Sequence, residues 1–138
     1  MKRIYIDANV LIAAFRGEEH VARRVLRALD DPDLKLVISD YLRLEVLPKP
    51  TFHRRQEEID FMQEIFDGAE NVNTSPELTR RALEFASKYD MSPIDALHVG
   101  AAAIAGVDEL VTMEKHTKPI CRVKEVNVVS IHSDSESV

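Results

Sequence analysis

Short apolar runs alternate along this chain with longer stretches in which apolar residues return at helical spacing. Lys2 to Ile6 reads as a strand with Asp7 at its C-terminal end, and Ala8 to Phe15 continues as a short helix. Val21, Ala22, Val25, Leu26 and Leu29 predict a second helix from about Glu18 to Asp30, closed by the turn signal Asp31-Pro32-Asp33. Leu34 to Ile38 is a strand of the buried type, and Ser39 is placed to cap a helix that starts near Asp40. Pro48 and Pro50 are expected to end that helix. Another follows Pro50, with Ile59, Met62, Ile65 and Phe66 on its apolar side and Gly68 near its stop.

Val72 begins a brief strand-like stretch. Ser75-Pro76 is a helix entry, serine as N-cap and proline in the first helical position. Leu78, Ala82, Phe85, Ala86 and Tyr89 form its apolar stripe. Ser92-Pro93 repeats the signal ahead of a nearly all-apolar helix to Ala105, stopped by Gly106. Leu110 to Thr112 and Val126 to Ile131 are the last strands. Strands separated by helices predict an α/β fold with parallel pairing, right-handed crossovers and helices on both sheet faces. Ligands in such folds sit beyond the strand C-termini, where strand order reverses. No repeat or linker divides the chain, so residues 1–132 are expected to form one domain, with a polar, frayed tail at 133–138.

Composition narrows the setting. A chain of 138 residues with 45% hydrophobic content suits one domain with one core. Cys121 is the single cysteine, which excludes an intrachain disulfide and a thiolate metal cage, as suits a reducing cytoplasm. Two bases precede the N-terminal apolar stretch as in a signal peptide, but Asp7 and Asn9 interrupt it. The most apolar run, Ala96 to Val107, contains His98 and is too short for a membrane span. A net charge of −6 argues against holding nucleic acid by bulk electrostatics, though not against a local basic strip beside a metal.

Four acids stand at element ends: Asp7, Glu45, Asp95 and Glu114. Each has a structural alternative. Asp7, between strand and helix, is a good N-cap. Asp95 completes a capping box with Ser92, a role compatible with facing a ligand. At about 100° per residue, Glu45 falls between Tyr41 and Leu42, in an arc shared with Leu44 and Val46 and opposite Arg43. On a core-facing stripe it needs a proton, a metal, or an Arg or Lys partner. Glu114, beside Lys115 and His116, is by default a solvated loop acid, with Thr112 placed to orient an acid or a bound water.

If the four converge, hard cations such as Mg²⁺ or Mn²⁺ fit them and structural zinc does not. Such a site supports in-line attack of activated water on a phosphodiester. The sequence holds no P-loop and no GxSxG elbow, and Cys121 is isolated. His98, one turn beyond Asp95, either faces the site or is packed as an ordinary buried histidine. For substrate, Lys49, His53, Arg54 and Arg55 form the best local basic strip, with Phe52 available to stack on an unpaired base. Lys115, His116 and Lys118 offer a second rim, while Arg23, Arg24 and Arg27 suit a solvated or partner-facing side.

The segments IYIDANVLI, SDYLRLEVL, SPIDALHVGAA and ELVTMEK resemble, in order and spacing, the acidic motifs of PIN-domain ribonucleases, with the VapC-like toxins the nearest group. The resemblance runs from Ile4 to about Ile131. It implies a parallel sheet of four to five strands with the first in the interior, and metal-dependent endonucleolytic cleavage of RNA. It further implies Asp7, Glu45, Asp95 and Glu114 as the metal-binding carboxylates, with Asn9 and Thr112 in support. A homodimer and an antitoxin that occupies the groove are its implied partners. One position departs from the pattern: Glu114 stands where the family usually has aspartate, one methylene shorter. A catalytically silent PIN-like module that binds RNA or a protein is the alternative reading. An aspartyl-phosphate phosphatase using Asp7 ranks lower, because Asn9 replaces the second aspartate expected there.

Overall fold

The β-branched and aromatic residues of Lys2–Ile6 form strand β1, which lies at the centre of the sheet. The computed structural model describes residues 1–17, 23, 27 and 30–132. The helix expected over Glu18–Asp30 lies largely outside them, as does the polar tail at 133–138. After β1 come α1 (Ala8–Arg16), β2 (Leu34–Ser39), α2 (Asp40–Val46), α3 (Pro48–Phe52) and α4 (Gln56–Asp67). Then follow β3 (Glu70–Val72), α5 (Pro76–Tyr89), α6 (Pro93–Ala105), β4 (Glu109–Thr112), a 3₁₀ turn at Pro119–Arg122 and β5 (Val128–Ser130).

All four strand pairings are parallel, in the order β3-β2-β1-β4-β5. Strand order therefore reverses at β1, and the crevice between the C-terminal ends of β1 and β4 is the switch point of the sheet. Alternate strand residues feed two cores. Tyr5, Val37 and Leu110 face α5, α6 and the 3₁₀ turn, while Ile6 and Ile38 face α1, α2 and α4. Helices thus cover both faces, as the alternating pattern predicts. Gly100 lets α5 and α6 approach closely, since a Cβ there would lie 3.1 Å from Leu78 Cδ1 and 3.4 Å from the Ala82 nitrogen.

The three expected serine caps form: Ser39, Ser75 and Ser92 accept the amides of Leu42, Leu78 and Asp95. Two details differ from the sequence reading. Pro48 opens a further short helix, because proline in the first helical turn loses no hydrogen bond there. Only Leu42 and Val46 of α2 are buried, and Leu44 is 65% exposed, so the stripe assigned to that helix is narrower than the apolar residues suggest. Among the described residues no helix is long and apolar enough to cross a membrane.

Candidate metal centre

The C-terminal ends of β2, β1 and β4 bring Ser39, Asp7 and Thr112 to one edge of the sheet. Asp7 is 4% exposed and acts as the N-cap of α1, its Oδ1 accepting the Ala8 amide at 2.8 Å. Its other oxygen, Oδ2, accepts the hydroxyl of the fully buried Thr112 at 2.8 Å. The capping alternative is thus real, but it uses one oxygen of a carboxylate that also faces the switch point. Burial pushes the Asp7 carboxyl above its ordinary pKa, and the His98 ring, the Thr112 hydroxyl and the Ala8 amide pull against that rise. A carboxylate in this position is short of positive charge.

Glu45 reaches the same place from α2. Its side chain is about one-third exposed, which corrects the core-facing placement. The partner it finds is neither Arg nor Lys but His98, through Nε2. Arg43 turns away as the helical arithmetic requires, its guanidinium 4.9 Å from the centre of the Phe66 ring. His98 lies in α6, fully buried, with its Nε2 4.0 Å from Asp7 Oδ1. Asp7, Glu45 and His98 each offer a ligand atom, and these atoms lie within 4.8 Å of one another.

Asp95 sits one helical turn before His98, and its amide is held by Ser92 Oγ at 3.4 Å. Burial and the neighbouring Asp7 carboxylate raise its pKa, and its carboxylate lies outside the group formed by Asp7, Glu45 and His98. Glu114 is placed differently. Its amide donates to Thr112 Oγ1 at 3.1 Å, and its carbonyl accepts the Ser130 hydroxyl at 2.6 Å. Its carboxylate is outside the group formed by Asp7, Glu45 and His98. Asn9 Oδ1 accepts the Met113 amide at 3.2 Å, so Asn9 and Thr112 together fix the loop after β4 against the start of α1.

The basic residues expected to meet substrate are at the surface. Lys49 lies on α3, with His53, Arg54 and Arg55 in the turn that follows, and all four are exposed. Phe52 is 81% exposed, its ring edge-on to His53. Lys115, His116 and Lys118 are exposed on the loop after β4. Tyr5 touches both His98 and Ser39; the sequence marks Ser39 only as a helix cap and does not mark Tyr5 at all. A tyrosine inside an apolar strand carries no mark that separates it from core. His98 had one weak signal, its three-residue offset from Asp95 on a common helix face.

The buried Asp7 carboxylate and the exposed Glu45 carboxylate, convergent beside His98 at a sheet switch point, match the donor chemistry of a divalent cation. A family model for the PIN domain matches residues 4–125. The chain belongs to the PIN domain family. Solved structures share this PIN fold at low sequence identity. VapBC2 from Rickettsia felis, bound to a promoter DNA fragment, matches with a TM-score of 0.72 and 12% identity, over 93% of this chain and 98% of that one. A toxin–antitoxin complex from Klebsiella pneumoniae matches with a TM-score of 0.72 and 19% identity, over 92% and 96%. VapC20 from Mycobacterium tuberculosis, a toxin that cleaves the sarcin–ricin loop, matches with a TM-score of 0.59 and 15% identity, over 90% and 98%. No curated protein sequence matches the chain significantly.

Proposed function

We propose that this PIN domain is a divalent-metal-dependent endoribonuclease and the toxin of a toxin–antitoxin pair. The observation that carries the reading is the convergence of Asp7, Glu45 and His98 within 4.8 Å at the point where strand order reverses. Asp7 and Glu45 would hold Mg²⁺ or Mn²⁺, with Asp95 and Glu114 as the remaining carboxylates of the site and Asn9 and Thr112 in support. When bound, the ion supplies a water nucleophile at neutral pH and stabilises charge on the phosphodiester oxygens. Lys49, His53, Arg54, Arg55 and Lys115 contact the RNA backbone without reading its sequence.

The toxin reading draws on the neighbours: two are complexes with an antitoxin, and VapC20 is a sarcin–ricin loop cleaving toxin. An antitoxin protein and a second copy of this chain are the proposed partners. The test is cleavage of a mixed-sequence RNA with Mg²⁺ or Mn²⁺, with EDTA and Asp7→Asn as controls. Cleavage lost in both controls supports the reading. Cleavage that survives either one removes the metal–carboxylate site from the mechanism. A folded chain that binds RNA equally with and without EDTA, and cuts none, would favour the silent binding module.

A further inference from the structure

An unbroken line of hydrogen bonds leaves the first turn of α2 and returns to the same helix at Glu45. The Leu42 amide donates to Ser39 Oγ at 3.2 Å. Ser39 Oγ lies 2.6 Å from Tyr5 Oη, and Tyr5 Oη lies 2.6 Å from His98 Nδ1. His98 Nε2 then meets Glu45 Oε1. Ser39, Tyr5 and His98 are each 0% exposed, so the middle of the line has no contact with bulk water.

The protons of this line can be counted. A phenol has one hydrogen, so Tyr5 donates either to Ser39 or to His98. Suppose it donates to Ser39. Ser39 Oγ would then accept two hydrogens, from Tyr5 and from the Leu42 amide, and its own hydrogen would have no acceptor among the described residues. Suppose instead that it donates to His98. Ser39 then donates to Tyr5, Tyr5 to Nδ1, and Nε2–H to the Glu45 carboxylate, with every hydrogen used once. A buried polar hydrogen without an acceptor costs about 1–3 kcal/mol, so the second direction wins.

We propose that Ser39, Tyr5 and His98 are positioning residues which fix His98 as the neutral Nε2–H tautomer and through it aim the Glu45 carboxylate at the metal site. The inference rests on the metal reading of Asp7 and Glu45 and adds how Glu45 is held. Glu45 belongs to a seven-residue helix and is the most exposed of the cluster, so its own packing does little to orient it. The hydrogen bond from His98 restrains one carboxylate oxygen and leaves the other free for a cation. Because Nε2 carries the hydrogen, His98 acts through Glu45 and does not itself ligate.

The test uses the full chain with ¹⁵N-labelled histidine. Long-range ¹H–¹⁵N correlation spectra identify the tautomer of His98, assigned by the signal that His98→Asn removes from the five histidines. The expected pattern is an unprotonated Nδ1 and a protonated Nε2 in the metal-free protein, retained when Mg²⁺ is added. Tyr5→Phe should lose that pattern and weaken Mn²⁺ binding, read by electron paramagnetic resonance of the free ion, by roughly tenfold or more. A protonated Nδ1 in the metal-free parent overturns the proposal. So does a pattern that inverts on adding Mg²⁺, which would make His98 a ligand, or a Tyr5→Phe protein with unchanged tautomer and Mn²⁺ affinity. If Tyr5→Phe fails to fold, the parent spectrum alone decides. Neither readout needs RNA, so a chain that shows the pattern yet cuts no RNA would count against the nuclease and leave the relay standing.

Discussion

Asp7 is the residue on which fold and chemistry make opposed demands. It caps α1 and ties β4 through Thr112, yet burial makes its charge costly, which raises its pKa. A carboxyl whose folded pKa lies above its unfolded value favours folding only while protonated. In metal-free protein, stability should therefore decline as pH rises from the ordinary aspartate value of 3.8 through the raised folded value. Asp7→Asn keeps the shape and one acceptor oxygen without the charge, its amide nitrogen replacing the other oxygen. It should melt several degrees higher than the parent at neutral pH without metal, the gap closing toward pH 4. A variant that melts lower at neutral pH would show that the capping bonds outweigh the buried charge. Thr112 is the complementary case, since its hydroxyl both donates to Asp7 and accepts from the Glu114 amide. Thr112→Val preserves shape but orphans both groups, and chemical denaturation should register a loss of about 1–3 kcal/mol.

At the scale of elements, the strands and the serine-capped helices were legible because they rest on local chemistry. Ser39, Ser75 and Ser92 cap as serines do, and Gly106 adopts the left-handed φ of 67° that ends α6. Nothing lies within 4 Å of a Cβ built at Gly106, so Gly106→Ala tests backbone strain alone. Its expected cost is about 1–2 kcal/mol by thermal or chemical unfolding, and a neutral result would mean the turn relaxes freely. The short helices were less legible. In α2 the apolar Leu44 points to solvent, and seven residues are too few for periodicity to separate a core stripe from chance. The sequence pattern therefore points Glu45 toward the core, although it sits at the rim of the site. The acid positions themselves were readable because strand ends and helix starts are where an α/β sheet puts its loops. Their partners were not, since Tyr5, Ser39 and His98 meet from three elements separated in sequence by 34 and 93 residues.

For the whole molecule, the sheet order and the charge distribution set what a substrate meets. Strand order reverses at β1, which concentrates carboxylates in one crevice of a chain that already carries a net charge of −6. A polyanion approaching such a surface depends on exposed local cations, and Lys49, Arg54 and Arg55 form one such strip. Replacing all three by alanine should raise KM for RNA several-fold and leave kcat nearly unchanged, because contacts equal in ground and transition states alter only binding. A fall in kcat with KM intact would move the strip from binding into the chemistry. In the proposed mechanism Asp7 and Glu45 converge to hold a divalent cation. Titration of Mn²⁺ into the full chain, with free ion read by electron paramagnetic resonance, tests this most directly. The parent should bind saturably, and Asp7→Asn and Glu45→Gln should each weaken binding by about tenfold or more. Binding that is absent in the folded parent, or equally tight in both variants, would mean that the cluster at the switch point is not a metal site.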